Sequence, residues 1–271
     1  GHNGSNKTMK NPDLLKEVTP TESELKEIIV NYVGNTIAPD TEEVTVEDIV
    51  KMPIRSYLKN KKQTTSNRFK ISGIEVWVKD NLPESVSAKR VVESLFKIVP
   101  KKLMSNVQFI HIGNFSELED RKIQALYKKS KILVTNEQSS EEDLLDDLVH
   151  EIAHSVEETH GSRIYSDGKI EREFLMKRRN LWMRLKREDF DLDLSHFLNP
   201  SYEESFDSFL HQKVGYNLLS SISRDLFYSP YAATSVREYF ANGFEAFFLK
   251  EHLSHLKSVS PNLFKKLSQL I

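Results

Sequence analysis

The segment Asp146-Asp147-Leu148-Val149-His150-Glu151-Ile152-Ala153-His154 restricts this chain more than any other. Its His-Glu-x-x-His spacing is chemically useful on a helix, where residues four apart share a face and two imidazoles can reach one metal ion. Glu151 then stands beside that ion. Zinc lowers the pKa of a coordinated water and a neighbouring glutamate takes its proton. The pattern therefore predicts a zinc-dependent hydrolase with His150 and His154 as ligands and Glu151 as general base.

The surroundings agree with a helix. Ser139-Ser140-Glu141-Glu142 offers an N-cap serine with a glutamate three residues later, and Leu144, Leu145, Leu148, Val149, Ile152, Ala153 and Val156 form a broad apolar face. Lys131-Ile132-Leu133-Val134-Thr135-Asn136 reads as a strand just before it. Glu157 and Glu158 fall near the end of this helix, which His160-Gly161 is expected to stop.

Composition narrows the donor set. The chain of 271 residues has no cysteine, so thiolate ligands and disulfides are excluded and His, Asp and Glu remain. A net charge of −2 gives no overall basic character for nucleic acid. No run approaches the roughly 18 apolar residues of a membrane span, and no leader with an apolar core is visible. Gly1 to Thr8 reads as a cloning remnant ahead of Met9. The expectation is a soluble protein, cytoplasmic, or secreted or translocated where a leader has been removed.

The rest of the chain reads as α+β. Residues 9–66 form a small helical N-terminal region, with helices over 20–33 and 46–58 and a polar linker at 59–68. Seven basic and no acidic residues between Lys51 and Lys70 read as a solvated loop, with an acidic partner as the alternative. Residues 67–271 form one domain. Its first half is a small mixed sheet, with strands at 69–78, 107–112 and 131–136 and helices at 88–99 and 117–127 between them. The strand at 131–136 is expected at the sheet edge, where an extended peptide substrate could add. Beyond the motif the domain is helical, with a long amphipathic helix over 169–190.

A catalytic zinc site needs a third protein ligand and leaves a fourth position for water. His160 stands at the interval of a metzincin's third histidine, but Glu157 occupies the position of the glycine that lets that chain turn. Glu238 lies in Ser235-Val236-Arg237-Glu238-Tyr239-Phe240-Ala241-Asn242-Gly243-Phe244, whose aromatic residues drive a helix into the core. A carboxylate there is costly unless paired or bound to metal. The residues favour Glu238.

His-Glu-x-x-His followed by Tyr231, Glu238, Tyr239, Phe240 and Ala241 resembles the protease domain of anthrax lethal factor and its relatives, including the Pro-Pro endopeptidases. Leu256, Pro261, Phe264, Leu267 and Ile271 are similar to the closing helix of that domain. The resemblance covers about residues 105–271, most strongly at the motif and from Tyr231 onward. It implies a zincin-like fold and a gluzincin, a zinc endopeptidase with one Zn2+ per chain. His150, His154 and Glu238 would be its ligands, Glu151 its general base and Tyr231 the phenol that steadies the oxyanion. Residues 161–230 are longer than the family would have there and read as an insertion beside the cleft. Asn242 replaces a second family glutamate, so Asn242 or Asp147 is the candidate for holding a zinc histidine from behind. Three other readings stay open: a metzincin-like protease using His160, a zinc-binding module of protease fold without turnover, and an N-terminal region of about 60 residues that carries the main function by docking a partner to which proteolysis is directed.

Overall fold

The computed structural model describes Gly4–Ser5 and residues 67–271. The helices expected over 20–33 and 46–58, and nearly all of the basic run and the linker, lie outside the described residues. The described chain is α+β, and it divides within one continuous helix into two compact units, up to Ile152 and from Ala153 onward.

The first unit is built on a six-stranded mixed sheet in the order β1-β5-β6-β4-β3-β2. These strands are β1 (Gly4–Ser5), β2 (Asn67–Ile71), β3 (Ile74–Val78), β4 (Phe109–Ile112), β5 (Ala125–Lys128) and β6 (Lys131–Val134). β4 runs parallel to β3 and β6, and all other neighbours are antiparallel. Alternation sends Phe69, Ile74, Val76, Val78, Ile110, Ile112, Ile132 and Val134 to the buried face.

Two expected elements come out differently. The single strand over 69–78 is a hairpin, turned by Ser72 and Gly73, both at positive φ (49° and 86°), the backbone of a two-residue turn whose twist matches its strands. The helix over 117–127 stops early. α2 (Ser116–Arg121) ends where Lys122 adopts the left-handed conformation, and residues 125–128 then become β5. A second tight turn with positive φ at Lys129 and Ser130 folds β5 back on β6. This hairpin overturns the edge position expected for 131–136, because β6 is paired with β4 on one side and β5 on the other. A peptide cannot add to a strand whose backbone groups are already used on both sides. The strand beyond it is β5, and its outer edge pairs with Gly4–Ser5 (Gly4 opposite Leu126, Ser5 opposite Ala125).

Between β3 and β4 lies α1 (Ala88–Ile98), capped by Ser87, whose hydroxyl accepts from Arg90 N; it buries Val91, Val92 and Leu95. α3 (Glu141–Tyr165) follows β6. Its N-cap is Ser140, accepting from Asp143 N at 3.1 Å, and three acidic residues occupy its first turn, where the helix dipole favours them. Of the expected apolar face, Leu144, Leu148, Val149, Ile152, Ala153 and Val156 are buried and Leu145 is half-buried. α3 does not stop at His160-Gly161 but continues to Tyr165. An interior glycine costs a helix only about 1 kcal/mol against alanine, which flanking turns can carry.

The second unit is helical. α4 (Lys169–Arg187) leads into a 3₁₀ turn (Leu194–Phe197), α5 (Glu204–Ser208), a π-helical segment (Phe209–Val214) and α6 (Tyr216–Ser223). A 3₁₀ turn (Pro230–Ala233) then precedes α7 (Val236–Phe248), and α8 (Leu253–Val259) and α9 (Pro261–Gln269) end the chain, parted at Ser260-Pro261. The closing region is thus two helices. Glu173 of α4 fixes α9 by accepting from Asn262 N (2.8 Å) and Leu263 N (3.3 Å), and it also accepts from the Tyr239 hydroxyl of α7 (2.6 Å). α7 and α9 approach so closely at Gly243 that a Cβ there would lie 2.3 Å from Leu263 Cδ2. No helix among the described residues is long and apolar enough to cross a membrane.

Candidate metal centre

His150 and His154 lie one turn apart on α3, both buried, with Glu151 fully buried between them in sequence. Glu238 stands on the first turn of α7, where Ser235 caps the helix and accepts from Glu238 N at 3.1 Å. The side chains of His150, His154 and Glu238 each offer a ligand atom, and these atoms lie within 4.8 Å of one another. His154 Nε2 and Glu238 Oε1 are 3.1 Å apart. The sequence-derived ligand set is therefore one spatial group.

The imidazole of His154 is held from both sides. Its Nδ1 is 2.9 Å from Glu157 Oε1, one turn further along α3. Glu157 Oε2 in turn accepts from the Tyr165 hydroxyl (2.8 Å) and from Arg237 Nε (3.3 Å). With the Nδ1 proton given to Glu157, the Nε2 lone pair is directed at Glu238. Two electron-rich atoms at that distance call for a cation between them or a proton on the ring. Two imidazoles and one carboxylate, all buried, with a second carboxylate fixing a ring from behind, are a donor set that fits a divalent first-row metal such as zinc.

Glu157 was legible only as a residue near the end of the helix. Of the two positions expected to support a histidine, Asp147 is buried and accepts from Gln138 Nε2 at 3.1 Å, and Asn242 is buried one turn beyond Glu238 on α7. Glu245, two turns beyond Glu238 on α7, is buried as well. His160 is outside the ligand group. It follows His154 by six residues along an unbroken helix, about 120° away round the axis, and the sharp turn a metzincin requires is not made.

Tyr231 sits in the 3₁₀ turn Pro230–Ala233 and is buried. Burial, then the charge of Glu238, holds its phenol well above the usual tyrosine range, so it remains a hydrogen-bond donor at any ordinary pH. The charge of Glu238 is also felt by Tyr202, Asp207 and Tyr216, all from the 161–230 region. Tyr202 donates to Asp207 Oδ2 at 2.6 Å, and burial raises the pKa of Asp207. That region thus supplies an acidic and phenolic group within electrostatic range of Glu238.

Comparison with protein-family models, with curated proteins and with solved structures gives no match.

Proposed function

We propose that the chain is a zinc-dependent endopeptidase of the gluzincin type, with the zincin-like arrangement that its resemblance to the lethal factor and Pro-Pro endopeptidase group implies. The observation that carries this reading is the buried group of His150, His154 and Glu238 on two helices, with Glu151 placed between the histidines on the first. A zinc ion held by those three residues would supply a Lewis acid for a scissile carbonyl and lower the pKa of a coordinated water.

The chain's own residues do the rest. Glu151, as a carboxylate, accepts the proton of the attacking water and returns it to the leaving amine. Tyr231, kept protonated by burial, donates to the oxyanion as it develops. Glu157 fixes the tautomer and ring orientation of His154. An extended polypeptide would add as a strand beside β5, the position taken by Gly4–Ser5 in this structure.

Elemental analysis of purified wild-type, Glu238→Ala, His160→Ala and Glu151→Gln proteins, with a fluorescent-casein assay of each, tests the reading. The expectation is one zinc per chain in all but Glu238→Ala, and cleavage lost in Glu151→Gln with zinc retained. Zinc lost with His160 rather than Glu238 would sink the ligand set. A fully active Glu151→Gln protein would sink the base.

A further inference from the structure

Arg178 lies in the middle of α4 and is fully buried. Among the described residues its guanidinium donates to backbone carbonyls alone. Nε reaches Ala233 O (2.5 Å), Nη2 reaches Thr234 O (2.8 Å), and Nη1 is shared between Phe197 O (3.3 Å) and His196 O (3.4 Å). The planar group also stacks over Phe206 (4.1 Å) and Phe174 (4.8 Å). Burial lowers its pKa to about 9, which leaves it charged at neutral pH. The charge of Glu203 offsets that burial only in part and Arg178 makes no ion pair with it, so the buried cation is costly and an apolar residue would fill such a site at less cost. Its presence points to a geometric task.

The four carbonyls define that task. Two belong to the 3₁₀ turn Leu194–Phe197; the other two close the turn that carries Tyr231 and lead into Ser235, the cap of the helix bearing Glu238. Thr234 returns both its N–H (3.1 Å) and its hydroxyl (2.8 Å) to Tyr231 O, so a grip on residues 233 and 234 passes directly to the tyrosine backbone. Lysine, whose three donors radiate from one nitrogen, could not hold carbonyls on both segments in one plane.

We propose that Arg178 is the positioning residue for Tyr231, clamping its turn against the segment at 196–197. The catalytic consequence rests on the reading of Tyr231 as the oxyanion donor, but the placement can be measured without turnover. The experiment puts 3-fluorotyrosine at position 231 of the zinc-loaded full chain and records its fluorine resonance in wild type, Arg178→Lys, Arg178→Gln and Leu95→Ala, the last a core truncation in the other unit.

Arg178→Lys and Arg178→Gln are expected to shift or broaden the resonance well below their unfolding temperatures, whereas Leu95→Ala leaves it in place. With fluorescent casein, Arg178→Lys should lower kcat on the order of tenfold with KM changed less than about twofold. That loss should vanish in a Tyr231→Phe background. An unmoved resonance in Arg178→Lys overturns the proposal, as does an equal kcat loss in the Tyr231→Phe background. Wild-type turnover by Tyr231→Phe with a resonance that still follows Arg178 would discard the oxyanion role and keep the clamp. If neither Arg178 variant folds, Phe206→Leu removes one stacking ring and leaves every hydrogen bond; a moved resonance supports the clamp and an unmoved one overturns it.

Discussion

His154 and Glu157 face each other across 2.9 Å, one turn apart on a single helix, with Nδ1 of the ring engaged and Nε2 turned to Glu238. Because the pair is local, it is set by the helix itself and needs no other element to form. Glu157→Gln should keep the fold and weaken zinc binding by about 10- to 100-fold, the usual cost of removing a carboxylate behind a metal histidine. Competition with a chromophoric chelator measures it, and an unchanged affinity would remove Glu157 from the centre. Tyr165→Phe, which removes one of the two donors to Glu157 Oε2, should weaken binding less.

Tyr231→Phe should lower kcat by about 10²-fold while zinc content stays at one per chain, since the loss of one oxyanion donor is of that size. Because burial and Glu238 hold the phenol well above its ordinary pKa, the wild-type pH–rate profile should show no tyrosine ionisation up to pH 10. A basic limb that falls below pH 10 in wild type and disappears in Tyr231→Phe would contradict this.

The outer face of the sheet carries a different titration. His111 on β4 meets Trp77 edge-on at 5.0 Å and stacks near Phe115; burial, with help from Lys131 and Arg68 and against Glu75, lowers its pKa to about 4. Above pH 6.5 the ring is neutral folded or unfolded and has no effect. Between pH 6.5 and 4 the unfolded chain binds a proton that the folded one refuses, so stability falls as pH falls through that window. Urea midpoints followed by tryptophan fluorescence should drop less across it in His111→Phe than in wild type; parallel curves would refute the shift.

Gly243→Ala should destabilise the second unit by about 1–3 kcal/mol, because its Cβ would fall 2.3 Å from Leu263 Cδ2 and 3.0 Å from Cγ. Thermal unfolding reads the loss, and Leu263→Ala should cost less stability in the Gly243→Ala background than in wild type. A wild-type Tm in the single variant would mean that α9 shifts freely.

The parts of the centre that are fixed by local rules were legible in the sequence. His150 and His154 follow from helical spacing, and Glu238 from a carboxylate set among Tyr239, Phe240 and Phe244 on a helix that had to be buried. Glu157 escaped because two adjacent glutamates late in a helix look like any solvated end, and only the ring orientation of His154 gives one of them a task. The sheet edge was misplaced for a similar reason. Ala125-Leu126-Tyr127-Lys128 has no β-branched residue, so it reads as a continuing helix, and without β5 the strand expected at 131–136 falls at the edge. The Ser72-Gly73 turn was visible as a dipeptide but was absorbed into one alternating run. Arg178 had no signal at all: in sequence it is one of eight cations on α4.

The acceptors of Arg178 are main-chain oxygens, which every residue type possesses. Positions 196, 197 and 233 can therefore drift in side chain without breaking the contact, provided that the backbone keeps its course. In an alignment of diverging relatives the arginine would stand as an unchanging column with no column at its carbonyl acceptors varying beside it. Contact inference from paired substitutions would be blind to the link, and only the constancy of one buried base would betray it.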